Sequence, residues 1–410
     1  MTDCIADLHI HSRYSRATSP SCDLPHLDLW ARYKGIDLVG TGDFTHPQWQ
    51  QQMEQMLVPG EDGLYSLKQE YALPAEIAGQ VPNPRFVITG EISCIYKKKG
   101  KTRKVHHLIL LPSLEAALKL SQKLAAIGNL HSDGRPILKL DSRDLLEMML
   151  EITPDGELIP AHIWTPHFSI FGAFSQFSSL EECFEDLTPY IHAVETGLSS
   201  DPPMNWPVSA LEGIQLVSNS DAHSPQKLGR EATVFEIPQT YSGLLNAIRT
   251  GSGLTETIEF FPEEGKYHLD GHRACQICCS PAQTREMNGI CPVCGKKLTV
   301  GVLHRTEELS NQPLNQIPKT RKPFQRLIPL QEAAASCLGL SPQGKRAQAV
   351  YFDLIRQIGT EFYILRKASL EELERTAGVK VAQGIERMRQ GKVLVQAGYD
   401  GVYGTISLTT

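Results

Sequence analysis

Short apolar runs alternate with amphipathic segments over the first 260 residues. Positions 4–11 alternate between apolar and polar residues, which places Asp7, His9 and His11 on one face of a first predicted strand. Similar runs predict strands at 36–40, 86–90, 105–111, 158–161, 191–194 and 214–218. Helical periodicity between them indicates a repeated βα unit, which is typical of a mainly parallel sheet with helices outside it.

Capping residues mark the helices of this pattern. Gly35 ends a predicted helix over 27–34, Ser113 begins one over 114–127, and Asp141 begins one that runs to Glu151. The last hundred residues are predicted to be helical over 323–339, 343–358, 370–376 and 379–389. We therefore expect an α/β region over 1–262, a small module over 263–304 and a helical domain over 305–410.

Composition narrows the class of protein. The 410 residues are 41% hydrophobic and 21% charged, as in globular proteins. No apolar run is long enough for a membrane span, and the N-terminus has no signal-peptide pattern, so we expect a cytoplasmic protein without a membrane partner. Residues 296–410 hold 17 Lys and Arg against 10 Asp and Glu, although the whole chain has a net charge of −6. A basic C-terminal part favours a polyanionic partner.

Histidine or a carboxylate follows most predicted strands at the carboxyl end. The series comprises His9, His11, Asp43, His46, Glu91, His106, His107, His162, Glu195, Asp221 and His223. In α/β barrels the chemistry lies at that end of the strands. Solvated histidines or helix caps would explain one or two members of the series but not all of it. Mixed imidazole and carboxylate ligands suit Zn²⁺, Mn²⁺ or Fe²⁺ more than Mg²⁺ alone.

A family resemblance supports this metal site. Ordered segments at 7–12, 42–46, 90–91, 107–111, 161–162 and 220–224 resemble the motifs of the PHP (polymerase and histidinol phosphatase) superfamily. The resemblance implies a PHP-type distorted (β/α)7 barrel with two or three divalent metals (Zn, Mn, Mg or Fe) that hydrolyses phosphoesters. Catalysis would rest on Glu91, Asp221 and His223.

The same resemblance implies a ligand set. It assigns one metal to His9, His11, Glu91 and Asp221, a second to Glu91, His107 and His162, and a third to His223 with either Asp43 or His46. Phe44 and Thr45 separate the last two residues, so the choice between them stays open. His106 competes with His107, which we prefer because an apolar strand continues directly after it. Asp7 fits direct ligation and a supporting role equally well.

Two segments near these ligands are candidates for nucleic-acid contact. The cationic residues Lys97, Lys98, Lys99, Lys101, Arg103 and Lys104 lie between Glu91 and His107, where contact with phosphates is at least as well supported as a merely solvated hairpin tip. The loop at 164–172 carries His167, Phe168 and Phe171, which could stack on a base or simply pack the loop. Lys266 and Tyr267 lie in a polar connector that we expect to face the site.

Four cysteines indicate a structural zinc module. Cys275 and Cys278 form one Cys-x-x-Cys pair, and Cys291 and Cys294 form another after twelve residues. Four thiolates give the closed tetrahedral site of one structural zinc. A pair of redox dithiols is the weaker alternative, because neither pair opens a helix of a βαβ unit.

Taken over its full length, the chain resembles the endonuclease Q family. The resemblance rests on the opening motif, 42–47, 262–268, the four-cysteine module and 398–404. It implies a metal-dependent DNA repair endonuclease that cleaves 5′ of deaminated bases (uracil, hypoxanthine, xanthine) and abasic sites, leaving 3′-hydroxyl and 5′-phosphate ends. Its partner would be double- or single-stranded DNA with a flipped damaged base. The alternatives are a small-molecule PHP phosphatase and a DNA-binding scaffold, and no clear motif supports a sliding-clamp partner.

Overall fold

The computed structural model describes residues 3–312 and 321–408. Its strands are β1 (Cys4–Asp7), β2 (Leu38–Gly40), β3 (Leu57–Pro59), β4 (Tyr65–Leu67), β5 (Arg85–Lys98), β6 (Lys101–Leu111), β7 (Ile137–Leu138), β8 (Glu157–Pro160), β9 (Ala193–Glu195), β10 (Gln215–Val217), β11 (Ala232–Phe235), β12 (Leu254–Glu259), β13 (Asp270–His272), β14 (Ile277–Cys279), β15 (Phe324–Arg326), β16 (Leu394–Gln396) and β17 (Thr405–Ser407). Within the described ranges, we find no helix with the length and apolar character needed to cross a membrane.

Fourteen α-helices occur in the described residues. They are α1 (Leu24–Lys34), α2 (Pro47–Met56), α3 (Leu114–Ala125), α4 (Ser142–Ile152), α5 (Leu180–Phe184), α6 (Pro202–Asn205), α7 (Tyr241–Thr250), α8 (Pro281–Glu286), α9 (Val302–Leu309), α10 (Leu330–Leu338), α11 (Lys345–Gln357), α12 (Glu361–Arg366), α13 (Leu370–Ala377) and α14 (Val379–Arg389). The predicted caps Ser113 and Asp141 are confirmed, because each side chain accepts a backbone N–H in the first turn. Gly35 ends α1 with a φ of 80°.

The central sheet is mixed, so the prediction of a mainly parallel sheet is wrong. Its strand order is β15-β12-β11-β1-β2-β5-β4-β3; off this path, β6 and β7 pair with β5, and β8 pairs with β6. β1, β2 and β5 are parallel, whereas β5 and β6 form a long antiparallel hairpin. The two strands pair at eleven positions and are joined by a tight turn, whereas a parallel pair would need a helical crossover. The mixed α/β class is confirmed.

β9 and β10 form a separate parallel pair beside the main sheet. Ile163 donates its N–H to the Glu195 carbonyl on one side, and Ser218 donates its N–H to Thr233 Oγ1 on the other. These contacts join the pair to the segment after β8 and to β11 of the main sheet without a continuous ladder. The closed barrel and the predicted domain boundaries stay predictions.

The C-terminal helices pack directly on the N-terminal region. β15 pairs in parallel with β12, where the sequence pattern predicted the start of a helix. Lys34 Nζ on α1 lies 2.6 Å from Glu361 Oε2 on α12, and both side chains are buried. Trp30 stacks on Tyr351 with ring centroids 6.0 Å apart. The last helices therefore form one continuous apolar core with the sheet.

Candidate metal centre and nucleic-acid interface

Two histidines just after β1 form the centre of the site. β1 ends at Asp7, and a single bridge between Ile10 and Ala222 continues the extended backbone. Asp7 is fully buried and accepts the N–H groups of Ser220 and Gly229 at 3.0 and 2.8 Å. Burial raises the pKa of Asp7 to about 6. Asp7 therefore holds the loop that carries Asp221 and has no place in the ligand cluster.

The first cluster contains His9, His11, Glu91 and Asp221. His11 Nε2 lies 3.1 Å from Asp221 Oδ1 and 3.3 Å from Glu91 Oε2. The corresponding distances from His9 Nε2 are 3.8 and 3.6 Å. Tetrahedral ligands at metal distances near 2.1 Å are separated by about 3.4 Å, so this spacing fits a metal ion.

Hydrogen bonds orient both imidazoles for ligation. His9 Nδ1 donates to Glu195 Oε2 at 2.9 Å, and His11 Nδ1 donates to Asp43 Oδ1 at 3.0 Å. The opposite Nε2 atoms are buried and have no hydrogen-bond partner, and neither does Asp221 Oδ1. A carboxylate on one imidazole nitrogen leaves the lone pair of the other free for a metal. These orphaned atoms favour a bound cation.

The second cluster contains Glu91, His106 and His162. Glu91 Oε1 lies 2.6 Å from His106 Nδ1 and 3.0 Å from His162 Nε2. Burial opposes ionisation of Glu91, but His106, His9 and Arg135 together hold the pKa of this carboxyl well below its usual range. Glu91 is therefore an ionised carboxylate shared between the two clusters.

The preference for His107 over His106 is corrected by the register of β5 and β6. Ser93 lies opposite His106 and Ile92 lies opposite His107, so alternation places His106 on the same face as Glu91. His107 points away, with Nε2 2.7 Å from Ser142 Oγ. Burial lowers the pKa of His107 to about 3, as expected for a neutral core histidine.

This correction predicts a difference between two adjacent histidines. His106→Gln should lower metal content by about one ion per chain, because it removes one of three ligands in the second cluster. His107→Gln should keep the metal but lower Tm, because it disturbs a buried contact with Ser142. Elemental analysis and thermal melting of both variants test this. Metal loss in His107→Gln alone would contradict it.

The residues expected at a third metal do not converge within the described ranges. Asp43 Oδ2 accepts Ser12 N, Ser12 Oγ and Ser15 Oγ, so both carboxylate oxygens are engaged. His46 stacks on Tyr14 with centroids 4.3 Å apart, and its Nε2 lies 3.3 Å from the His131 carbonyl. His223 donates Nδ1 to the Asp221 carbonyl beside the first cluster. The third site stays a prediction.

The four-cysteine site is also corrected. The ligand-like group comprises His272, Cys275, Cys291 and Cys294, and Cys278 lies outside it. Cys294 Sγ lies 3.7 Å from His272 Nδ1, close to the roughly 3.6 Å expected between S and N ligands of one tetrahedral zinc. In the β13–β14 ribbon Cys278 pairs with Gly271 and Ile277 with His272, so Cys278 faces away from His272.

The basic hairpin divides into internal and exposed residues. Lys98 Nζ lies 2.9 Å from Glu185 Oε1 and from the Cys183 carbonyl. Arg103 is buried, hydrogen-bonds the Ser175 carbonyl and stacks on Phe177. Neither is free for a ligand. The exposed cations of the hairpin are Lys97, Lys99, Lys101 and Lys104.

The aromatic loop also contains both buried and exposed residues. Phe171 is fully buried against Trp164, so its expected role in DNA contact is wrong. Phe168 lies 4.6 Å from the ring of His106, and its carbonyl accepts the His106 N–H. His167 is exposed and stacks on Phe174 at 3.9 Å; Phe174, which the sequence did not single out, is 61% exposed.

Comparison of the whole fold with solved structures decides the family. The lesion-specific endonuclease PfuEndoQ from Pyrococcus furiosus matches with a TM-score of 0.85 and 31% identity, over 99% of this chain and 95% of that one. The chain belongs to the endonuclease Q family. A second endonuclease Q structure, in complex with a 27-mer duplex with an abasic lesion at the active site, matches with a TM-score of 0.84 and 30% identity, over 100% of this chain and 97% of that chain.

Two curated proteins from other organisms are similar to this chain in sequence. The uncharacterized protein YqxK of Bacillus subtilis is 31% identical over 99% of this chain and 100% of its own length. The uncharacterized protein MJ0043 of Methanocaldococcus jannaschii is 31% identical over 63% of this chain, but the match spans 33% of that longer protein. The PHP-associated family model matches residues 209–252, and the MJ0043 C-terminal domain model matches residues 329–392.

In this member of the endonuclease Q family a cavity of about 390 Å³ adjoins the aromatic loop. His167 and Ser199 line one part, and Lys266, Tyr267 and Tyr403 line another. Lys266 Nζ lies 5.6 and 5.7 Å from the ring centroids of Tyr267 and Tyr403. Tyr403 is 70% exposed and was not singled out from the sequence. The cavity therefore combines a cation with aromatic walls.

Two further site residues have different origins in the sequence. Glu195 follows a predicted strand, and its carboxylate accepts hydrogen bonds from His9 Nδ1 and from the backbone N–H of His162. Arg135 lies in a stretch without periodicity, and no sequence signal indicated it. Its Nη1 donates to Glu91 Oε2 at 3.0 Å.

Proposed function

We propose that this protein is a metal-dependent DNA endonuclease that hydrolyses the phosphodiester bond immediately 5′ of a damaged base. The observation that carries the proposal is the pair of ligand clusters that share Glu91, with buried imidazole nitrogens left without partners. Two divalent ions there would supply a water that ionises near neutral pH and would stabilise charge on the phosphoryl oxygen. Zn²⁺, Mn²⁺, Fe²⁺ and Mg²⁺ are the candidate ions, and the Cys and His cluster would hold one structural zinc.

The protein's own residues would orient the metal ligands and transfer a proton to the leaving group. Glu195 and Asp43 fix the imidazoles of His9 and His11, so the ligand atoms need no rearrangement. His223 lies beside Asp221 and is partly exposed, where its Nε2 could exchange a proton with the leaving 3′-oxygen. The products would be 3′-hydroxyl and 5′-phosphate ends.

The cavity beside the aromatic loop would accept the damaged base after it leaves the stack. Lys266 and Tyr267 offer hydrogen-bond donors and a stacking face, and His167 also lines the cavity. Uracil, hypoxanthine or xanthine that arises by deamination is mispaired with the original partner base, and an abasic site has no base to pair, so these nucleotides cost less to extrude. The relation to a structure with an abasic lesion at its active site supports this substrate class.

A cleavage assay tests the function. End-labelled duplexes carrying one uracil, one hypoxanthine, one abasic site or no lesion are incubated with the protein and Mn²⁺ or Mg²⁺. Nicks are expected on the 5′ side of each lesion and not in the undamaged duplex. Equal cleavage of all four, or of none, would reject the proposal. Phosphate release from histidinol phosphate without nicking would instead identify a small-molecule phosphatase.

The exposed lysines of the hairpin predict a change in salt dependence. Neutralising Lys97, Lys99 and Lys104 to Gln should reduce the slope of log affinity against log salt by up to about three, near 0.9 for each lost phosphate contact. Fluorescence anisotropy with a lesion duplex measures the slope. Neutralising Lys119 and Lys123 on α3, which pair with Glu115 and Glu151, is the control. An unchanged slope in the hairpin variant would indicate that the hairpin is an ordinary solvated turn without phosphate contacts.

A further inference from the structure

Arg135 lies between the two ligand clusters and has no role in the scheme above. Its backbone is fixed on both sides: Arg135 N donates to Asp133 Oδ1 at 3.2 Å, and Ser93 N donates to the Pro136 carbonyl at 3.0 Å. The second bond begins the pairing of β7 with β5, the strand that carries Glu91. The backbone at Arg135 is therefore held directly before β7 and next to β5.

Most of the guanidinium is uncommitted. Nη1 donates to Glu91 Oε2 at 3.0 Å, and in ranges 3–312 and 321–408 this is its one recorded side-chain hydrogen bond. A guanidinium has five N–H donors in a planar fork. The side chain is 23% exposed, so it reaches solvent at the mouth of the clusters. Asp133, the nearby carboxylate on its own loop, pairs with Arg16.

The charge of the site favours an anion at this point. Glu91, Asp221, Glu195 and Asp43 are the four carboxylates around the two clusters, and two divalent ions would balance them. The positive charge of Arg135 is then left over, beside cations that repel it. A phosphodiester carries one negative charge, and guanidinium matches its oxygens with two parallel hydrogen bonds.

The geometry points to Arg135 as a catalytic residue that binds a non-bridging oxygen of the scissile phosphate while it holds Glu91. This assignment rests on the proposed function for the identity of the phosphodiester. The N–H bonds that point to the phosphate strengthen as negative charge develops on its oxygens in the transition state. Loss of such a donor costs about 10²–10³-fold in kcat.

The first measurement compares three variants with the wild type. Arg135→Ala should lower kcat about a hundredfold, and Arg135→Lys should recover only part of it, because an ammonium lacks the fork. Added guanidinium ion should partly restore Arg135→Ala. Arg143→Ala removes a partly exposed arginine that pairs with Asp186 and Glu147 away from the clusters, and it should change neither kcat nor the response to guanidinium.

A binding measurement separates phosphate contact from support of Glu91. A lesion duplex in which the phosphate 5′ of the lesion is a neutral methylphosphonate should bind the wild type about tenfold more weakly, and Arg135→Ala should show little of that penalty. The assignment is overturned if both proteins show the same penalty. It is also overturned if Arg135→Ala loses bound metal and regains full kcat at saturating Mn²⁺.

A second substrate keeps this test separate from the proposed function. If the wild type nicks no lesion duplex, bis(p-nitrophenyl) phosphate hydrolysis replaces the cleavage assay. Loss of that hydrolysis in Arg135→Ala with rescue by guanidinium would support Arg135 although the DNA proposal had failed. Full hydrolysis in Arg135→Ala would reject Arg135 whatever the natural substrate is.

Discussion

Glu91→Gln is expected to lower cleavage by at least about a thousandfold and to remove both metals of the centre. Each ion contributes several kcal/mol of transition-state stabilisation, and about 1.4 kcal/mol corresponds to a tenfold change in rate. Glu91 contacts His9 and His11 through one carboxylate oxygen and His106 and His162 through the other. A neutral amide offers one weaker oxygen and leaves His106 and His162 to repel each other when protonated.

Asp221→Asn is the matched comparison, because Asp221 belongs to the first cluster alone. It should abolish cleavage with the loss of about one ion per chain, and it should leave lesion-duplex binding close to that of the wild type. Elemental analysis after gel filtration gives the metal content, and anisotropy gives the affinity. Two retained ions in Glu91→Gln would contradict the shared-carboxylate arrangement.

The second large effect is expected in the zinc module. Cys291→Ser and His272→Ala should each lose the zinc and unfold the segment around β13, β14 and α8, because structural zinc supplies much of the folding free energy of a module this small, on the order of 10 kcal/mol in isolated zinc fingers. Three apolar or sulfur side chains, Cys279, Cys291 and Leu298, make up its buried cluster.

Cys278→Ser provides the decisive contrast, since it removes the cysteine that the Cys-x-x-Cys pattern selects. It should keep one zinc per chain and normal protection of residues 270–300 in hydrogen exchange. Zinc loss in Cys278→Ser with zinc retained in His272→Ala would restore the four-cysteine assignment. Cleavage should fall only in the variants that lose zinc, because Thr299 and Arg273 hold Asp400 and thereby the segment that carries Tyr403.

The errors of the sequence interpretation share a cause. His106 and His107 differ by one position on β6, and only the pairing with β5 decides which one faces Glu91. A one-residue change of register moves every side chain to the opposite face. The same applies to Cys278 on the β13–β14 ribbon. The spacing of residues within one segment does not specify how that segment is aligned with its partner strand.

The basic hairpin and the aromatic loop show a second limit. The sequence identified both segments, but it did not distinguish residues that hold the fold from residues that face solvent. Lys98 and Arg103 pair within the protein, and Phe171 packs on Trp164. The exposed aromatic side chains are instead Phe174 and Tyr403, which the sequence did not single out. Burial depends on elements distant in sequence, such as the residues around Ser175 and Glu185.

The sequence by itself determined the α/β class, the helix caps, the family and most of the polar residues at the centre, because periodicity, capping and ordered motifs are local properties of the chain. Only the tertiary structure decided that Glu91 is shared between two clusters, that His106 and His272 replace His107 and Cys278, and that Arg135 reaches the centre. Those residues meet across as many as 212 positions of sequence, from His9 and His11 through Glu91 and Arg135 to Asp221. Strand register and loop packing set the distances between these side chains, and no single segment of the sequence specifies either of them.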